Sequence, residues 1–151
     1  MNKINFASGV SIGSKTVGFE KQKLHDRYFM WIPDEFTKDS AILSNYTYWY
    51  SREESPLSIA VRYTSVTSAG DRKKMISHYF SRGCEAQPVQ ATNLVSYRDT
   101  LLNSSQMSVY SLRFSVEMSD GVLFGCFNCA GNDMDSWKPV IIAMLGAVTT
   151  D

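Results

Sequence analysis

Polar and apolar positions alternate most clearly towards the C-terminal end of the chain. From Tyr110 to Met118 every second residue is apolar (Tyr110, Leu112, Phe114, Val116, Met118), with Ser111, Arg113, Ser115 and Glu117 between them. That is the period of a strand with one buried face. Asp120-Gly121 follows, a pair suited to a two-residue type I′ turn because both residues tolerate positive φ. The turn predicts a returning strand from Val122 to Cys129, with Met118 opposite Leu123, Val116 opposite Gly125, Phe114 opposite Phe127 and Leu112 opposite Cys129. Beyond it the period changes to that of a helix. Trp137, Val140, Ile141, Met144, Leu145 and Val148 mark one face. Asn132, Asp133, Asp135 and Ser136 offer N-cap oxygens, and Pro139 falls in the first turn if Ser136 is the cap. Burying those six apolar side chains contributes on the order of 10 kcal/mol before ordering entropy is subtracted. The other face, Ile142, Ala143, Gly146 and Ala147, carries no charge. Such a smooth strip predicts a cover, either a second copy of the chain in a homodimer or the N-terminal segment from Ile4 to Phe19.

Upstream, the short apolar pairs Ile4/Phe6, Val10/Ile12 and Val17/Phe19 predict a small hairpin turning at Gly13-Ser14-Lys15. Tyr28 to Ile32 reads as a strand stopped by Pro33-Asp34. From Ser44 to Ser51 a β-prone run alternates Tyr46, Tyr48 and Tyr50 with Thr47 and Trp49. Leu57, Ile59, Val61 and Tyr63 form one face of the next strand. Ser68 caps a helix, with Asp71 three residues on; Met75, Ile76, Tyr79 and Phe80 are its buried stripe and Gly83 its C′ residue. A strand through Leu94 to Tyr97 leads to the closing hairpin. The order of strands, helix, strands, helix predicts an α+β fold: one antiparallel sheet sandwiched with two main helices. One domain is expected over 1–151, with an N-terminal hairpin extension at 1–26 and a sheet-and-helix core at 27–150.

Charge narrows the class of partner. Fifteen basic and fifteen acidic residues cancel, and the pI is about 6.7. No basic stripe favours nucleic acid or an anionic membrane. No stretch has transmembrane length, and Met1 to Phe6 lacks the apolar run of a signal peptide. Three cysteines argue against a disulfide framework, so the expected setting is reduced, cytoplasmic and bacterial.

Candidate chemistry is sparse. Gly9 to Thr16 invites comparison with a phosphate-binding loop, but Ser14 stands where a glycine should precede Lys15, and strand-like residues follow instead of a helix. Cys126 and Cys129 are three apart on a strand and so point to opposite faces, which prevents them from gripping one ion. His78 falls on the polar side of its helix beside Lys74 and Arg82. His25 lies in a charged loop with Asp26, a pair able to serve as a general base but with no serine or cysteine nucleophile evident. Glu53-Glu54 and Asp133/Asp135 suit a turn and a helix N-terminus. No cofactor or metal is expected. The better clue is surplus apolar surface: the Tyr46/Tyr48/Tyr50 stripe and, on the hairpin's second face, Val122 and Phe124. Either the domain covers these residues or a partner does.

Ile32-Pro33-Asp34 ending a strand, Leu57-Ser58-Ile59-Ala60-Val61, a central helix, the hairpin around Asp120-Gly121 and the closing Trp137 with Val140 to Leu145 together resemble the PsbP/DcrB-like fold family. The resemblance covers roughly residues 27–150 and implies a sheet between helices. It also implies a non-enzymatic binding role, since the family includes photosystem accessory subunits and dimeric cytoplasmic chaperones for type VI secretion effectors. The long Gly/Ser segment before Tyr28 departs from the family pattern. The expected function is a chaperone or adaptor that shelters an apolar segment of a protein partner. The alternatives are an immunity-type inhibitor of a toxin and an enzyme using His25 or His78.

Overall fold

In the computed structural model, residues 4–25, 28–39, 46–51, 55–80, 85–88, 94–104 and 107–149 are described. Their strands are β1 (Val10–Ile12), β2 (Lys15–Val17), β3 (Phe19–His25), β4 (Tyr28–Pro33), β5 (Thr37–Asp39), β6 (Thr47–Tyr50), β7 (Ser58–Ser65), β8 (Glu85–Pro88), β9 (Leu94–Asn103), β10 (Ser108–Met118) and β11 (Gly121–Ala130). Helix α1 (Ala69–Phe80) follows β7, and α2 (Met134–Gly146) follows β11. Seven strands form one antiparallel sheet in the order β5-β6-β7-β11-β10-β9-β8. The fold is α+β, with a helix on each face of the sheet, the arrangement that pattern and resemblance both imply.

The closing hairpin turns one residue earlier than Asp120-Gly121 predicts, which shifts the pairing by two. Ser119 and Asp120 make the turn, and Met118 faces Gly121, Val116 faces Leu123, Phe114 faces Gly125 and Leu112 faces Phe127. A slip of two residues keeps every side chain on its predicted face, because the period of a strand is two. Space, and not positive φ, is what requires glycine at 121. A Cβ there would lie 2.3 Å from the Tyr63 hydroxyl and 2.6 Å from the Thr64 carbonyl oxygen. Asp120 is held in the turn by its own contacts. Its carboxylate accepts hydrogen bonds from the hydroxyls of Tyr28 and Tyr63, and its carbonyl accepts from the Val66 N–H at 2.9 Å.

The inner face of the sheet carries Trp49, Ile59, Val61, Val95, Phe114, Val116, Leu123 and Phe127, all buried. Helix α2 lies over it with the predicted stripe, Trp137 to Val148, fully engaged. The helix starts earlier than Ser136 allows: a 3₁₀ turn at Gly131–Asp133 runs straight into it, and Met134 packs against the core in its first turn. Pro139 therefore sits inside the helix, where it leaves the Asp135 carbonyl without its usual N–H. Lys138 meets Asp99 of β9 at 2.6 Å, and Asp99 also accepts from the Tyr110 hydroxyl at 3.0 Å.

Beside α2 the N-terminal residues join the same core through Phe6, Val10, Ile12, Val17 and Phe19. The β1–β2 hairpin forms as predicted, with Gly13 at φ 64° in its turn. The stretch expected as a charged loop is instead β3, antiparallel to β4 from Phe19↔Pro33 to His25↔Tyr28. Its sequence lacks apolar alternation, and the ladder to β4 supplies the order. Phe29 and Thr149 exchange backbone hydrogen bonds, which ties the chain beyond α2 to this ribbon.

On the outer face, α1 covers Val122 and Phe124 with Ile76 and Phe80. Ser68 caps α1 through the Asp71 N–H. Arg72 anchors the helix: its Nε reaches Glu117 at 3.2 Å, and its Nη1 donates to the Val66 and Thr67 carbonyls. The Tyr79 hydroxyl donates to the Gly125 carbonyl at 2.9 Å, and burial pushes that phenol up to about 12. The predicted C′ residue Gly83 lies outside the described residues.

Candidate functional site

Among the described residues, the pairing of β6 covers only part of β7. Their pairing ends at Thr47↔Val61, whereas β7 continues through Arg62, Tyr63, Thr64 and Ser65, paired there with β11. Among the described residues no strand pairs with the other edge of this four-residue extension. A cleft of about 650 Å³ opens at that edge. It is lined by Leu24 of β3, Thr47 of β6, Val61 to Ser65 of β7, Met75 of α1 and Leu123 of β11. Apolar Leu24, Val61, Met75 and Leu123 alternate with the hydroxyls of Thr47, Tyr63, Thr64 and Ser65. Arg62 is the one charged side chain among the described lining residues.

Arg62 sits across the ladder from Phe124 and beside Tyr46. Its guanidinium carbon lies 5.3 Å from the Tyr46 ring centroid and 5.9 Å from that of Phe124. Both are cation–π distances. Its Nε is buried and has no hydrogen-bond partner. Next to it, Tyr63 is fixed by Asp120 and by the Tyr28 ring at 4.8 Å. The cleft wall is thus held by the turn that closes the β10–β11 hairpin.

The residues expected to form a partner surface divide. Tyr46 lies at the rim over Arg62, while Tyr48 is 36 % exposed and stacks on Tyr50 at 5.7 Å. The inward member of that run is Trp49. Val122 and Phe124 do not offer an open surface: α1 buries them, because Ile76 and Phe80 present the matching apolar stripe. On α2, Gly146 is buried, while Ile142, Ala143 and Ala147 are half-buried against the core. The tip of the β1–β2 hairpin approaches the start of that helix, where a Cβ on Gly13 would lie 3.7 Å from the Ser136 hydroxyl.

The catalytic candidates remain scattered. His78 is exposed on α1; His25 ends β3, and its side chain, like Cys84 and Glu53-Glu54, lies outside the described residues. Cys126 and Cys129 take opposite faces of β11, as predicted. Burial raises both thiols, Cys129 to about 12 with the Asp133 charge adding to it. Gly9 to Thr16 is a β-hairpin. Among the described residues no three potential ligands cluster to hold a metal, and no helix is long and apolar enough to cross a membrane.

Sequence reasoning missed Arg62. It occupies an outward position in a strand whose apolar residues face in, and such a residue reads as solvated. No length pattern gave it away: the tyrosine run from Ser44 to Ser51 reads as long as the run from Leu57 to Tyr63, and the difference between β6 and β7 appears only in the structure.

No protein-family model matches the sequence, and no curated protein matches it. A solved structure shares its fold. A crystal structure of a protein from Bacteroides thetaiotaomicron is similar with a TM-score of 0.62 at 6 % identity over 82 % of this chain. The chain spans 45 % of that protein's length. The solution structure of cyanobacterial PsbP (CyanoP) from Synechocystis sp. PCC 6803 aligns with a TM-score of 0.44 at 10 % identity, over 95 % of this chain and 98 % of that one.

Proposed function

We propose that the protein is a non-enzymatic protein-binding module that receives an extended, partly apolar segment of a protein partner in the cleft beside β7. The carrying observation is the four-residue extension of β7, Arg62 to Ser65, on the wall of a 650 Å³ cleft. A strand edge offers backbone hydrogen bonds to an incoming chain, and the flanking wall takes alternate side chains. Leu24, Val61, Met75 and Leu123 suit apolar ones, and Tyr46 and Tyr48 extend the surface along β6. The volume falls within the range of small-molecule and short-peptide sites, roughly 300–1,000 Å³. In its finer form, suggested by the PsbP/DcrB-like resemblance, the role is that of a cytoplasmic chaperone or adaptor for a secretion effector.

Display of random dodecapeptides against the protein tests the reading. Recovered peptides are expected to bind with micromolar affinity, to protect the amides among Arg62–Ser65 that point away from β11 from hydrogen exchange, and to lose binding when Met75→Arg fills the cleft. Failure to recover peptides, or recovery of peptides that bind Met75→Arg equally well, overturns it.

A further inference from the structure

Resting on that reading, we infer that Arg62 is the anchor for a carboxylate on the bound segment. A guanidinium carries five N–H donors, all in its own plane. Contacts with the rings of Tyr46 and Phe124 engage its π face and satisfy none of those donors. The buried Nε has no acceptor, and no ion pair to Arg62 occurs among the described residues. The contrast with Arg72 is instructive. That side chain sits a few ångströms from Glu117 and two carbonyls, with its donors used in holding α1. Arg62 lines a cleft instead, and its buried Nε–H without an acceptor is costly unless a ligand supplies one.

The chemistry of the wall selects the acceptor. One guanidinium balances one negative charge, and a carboxylate matches its fork with two parallel hydrogen bonds. A phosphate dianion would bring a second charge, and the described lining holds no second cation. Thr64, on the same face of β7 as Arg62, can donate to a remaining lone pair, while Met75 of α1 takes an aliphatic chain attached to the carboxylate. The group on the partner is a C-terminal carboxylate or an Asp or Glu side chain in an otherwise apolar segment.

The test uses hexanoate and its neutral isostere hexanamide on the full chain, read by the Arg62 Nε–Hε resonance and the Met75 methyl. Hexanoate is expected to shift both signals in a saturable manner, and hexanamide to leave the Arg62 signal in place. Arg62→Gln should abolish the hexanoate response, and Arg62→Lys should weaken it tenfold or more. Peptides recovered by display are then remade with each carboxylate converted to its amide, which should weaken binding at least tenfold. Hexanoate binding without any recovered peptide upholds the carboxylate site for small acids and removes the peptide reading. Peptides that bind equally well after neutralisation, with hexanoate silent, overturn the Arg62 inference and leave the peptide reading standing. Equal responses to hexanoate and hexanamide also overturn the inference; they need no variant to fold.

Discussion

Gly125→Ala should be among the most damaging single-methyl additions in this protein. Gly125 lies in β11 between Val61 of β7 and Phe114 of β10, at the centre of the sheet. A Cβ there would fall 2.0 Å from the Ala60 carbonyl oxygen and 2.7 Å from Cζ of Phe114. Normal C···O contacts begin at about 3.3 Å, so relief needs a separation of roughly 1 Å between strands that are held only about 4.8 Å apart. The Phe114 ring can shift, but the Ala60 carbonyl is backbone in a central strand. Overpacking costs about 1–3 kcal/mol, and a backbone obstacle places this site at the upper end. Disturbing the Tyr79 hydrogen bond to the Gly125 carbonyl adds about 1 kcal/mol. The lower entropy of an unfolded alanine returns about 0.5–1 kcal/mol, leaving a net loss of about 3 kcal/mol. With a urea m-value of about 2 kcal/mol/M, the unfolding midpoint falls by about 1.5 M. Trp49 and Trp137, both buried, report the transition by fluorescence. Gly70→Ala is the matched control. Its Cβ would meet nothing closer than Ser68 Oγ at 3.9 Å, in the first turn of α1, so its midpoint should rise by about 0.25–0.5 M. A Gly125→Ala midpoint within about 0.3 M of wild type, or a shift of the same sign as that of Gly70→Ala, refutes the argument.

Two further outcomes are expected. Burial raises the Asp99 carboxyl, but hydrogen bonds from Lys138 and Tyr110 outweigh it and hold its pKa below the usual value. Stability from this group is therefore complete above the unfolded pKa of about 4 and disappears as pH falls through the lower folded value. Asp99→Asn should flatten the urea midpoint profile below pH 4.5 relative to wild type, and parallel profiles would count against the assignment. For assembly, the strip of Ile142, Ala143 and Ala147 is proposed as a homodimer face: wild type should sediment as a dimer and Ala143→Glu as a folded monomer. A wild type that stays monomeric at high micromolar concentration removes the dimer, and unfolding of Ala143→Glu assigns the strip to the core.

Periodicity carried much of the fold because each major element buries one face and leaves a matching pattern. Tyr110 to Met118, Trp137 to Val148 and the Met75–Phe80 stripe all pack as their spacing implies. The elements that escaped notice lack that signature. Strand β3 reads Phe-Glu-Lys-Gln-Lys-Leu-His, and β5 is three polar residues; both are ordered by the partner strand more than by their own side chains. The register of the closing hairpin failed for a related reason. Asp120-Gly121 fits the local chemistry of a turn, but the long-range contacts of Asp120 with Tyr28 and Tyr63, and the crowding of Gly121 by Tyr63, place it one step along.

The candidate site was the least legible part because it arises from a difference between elements. Val122 and Phe124 looked like surplus apolar surface, and only the docking of α1 shows where that surplus goes. Its consequence reaches Arg62. With Phe124 buried by the helix on one side and Tyr46 on the other, the arginine is half-buried between aromatic rings. Among the described residues, the pairing of β6 reaches no further along β7 than Thr47↔Val61. No single stretch of sequence encodes that coincidence. It follows from β7 being longer than β6, from α1 covering the neighbouring half of the sheet, and from Asp120 fixing Tyr63 at the cleft wall. A residue that looks solvated in its own strand thereby becomes a half-buried cation facing a cleft, with a buried Nε, and its chemistry is that of a carboxylate receptor.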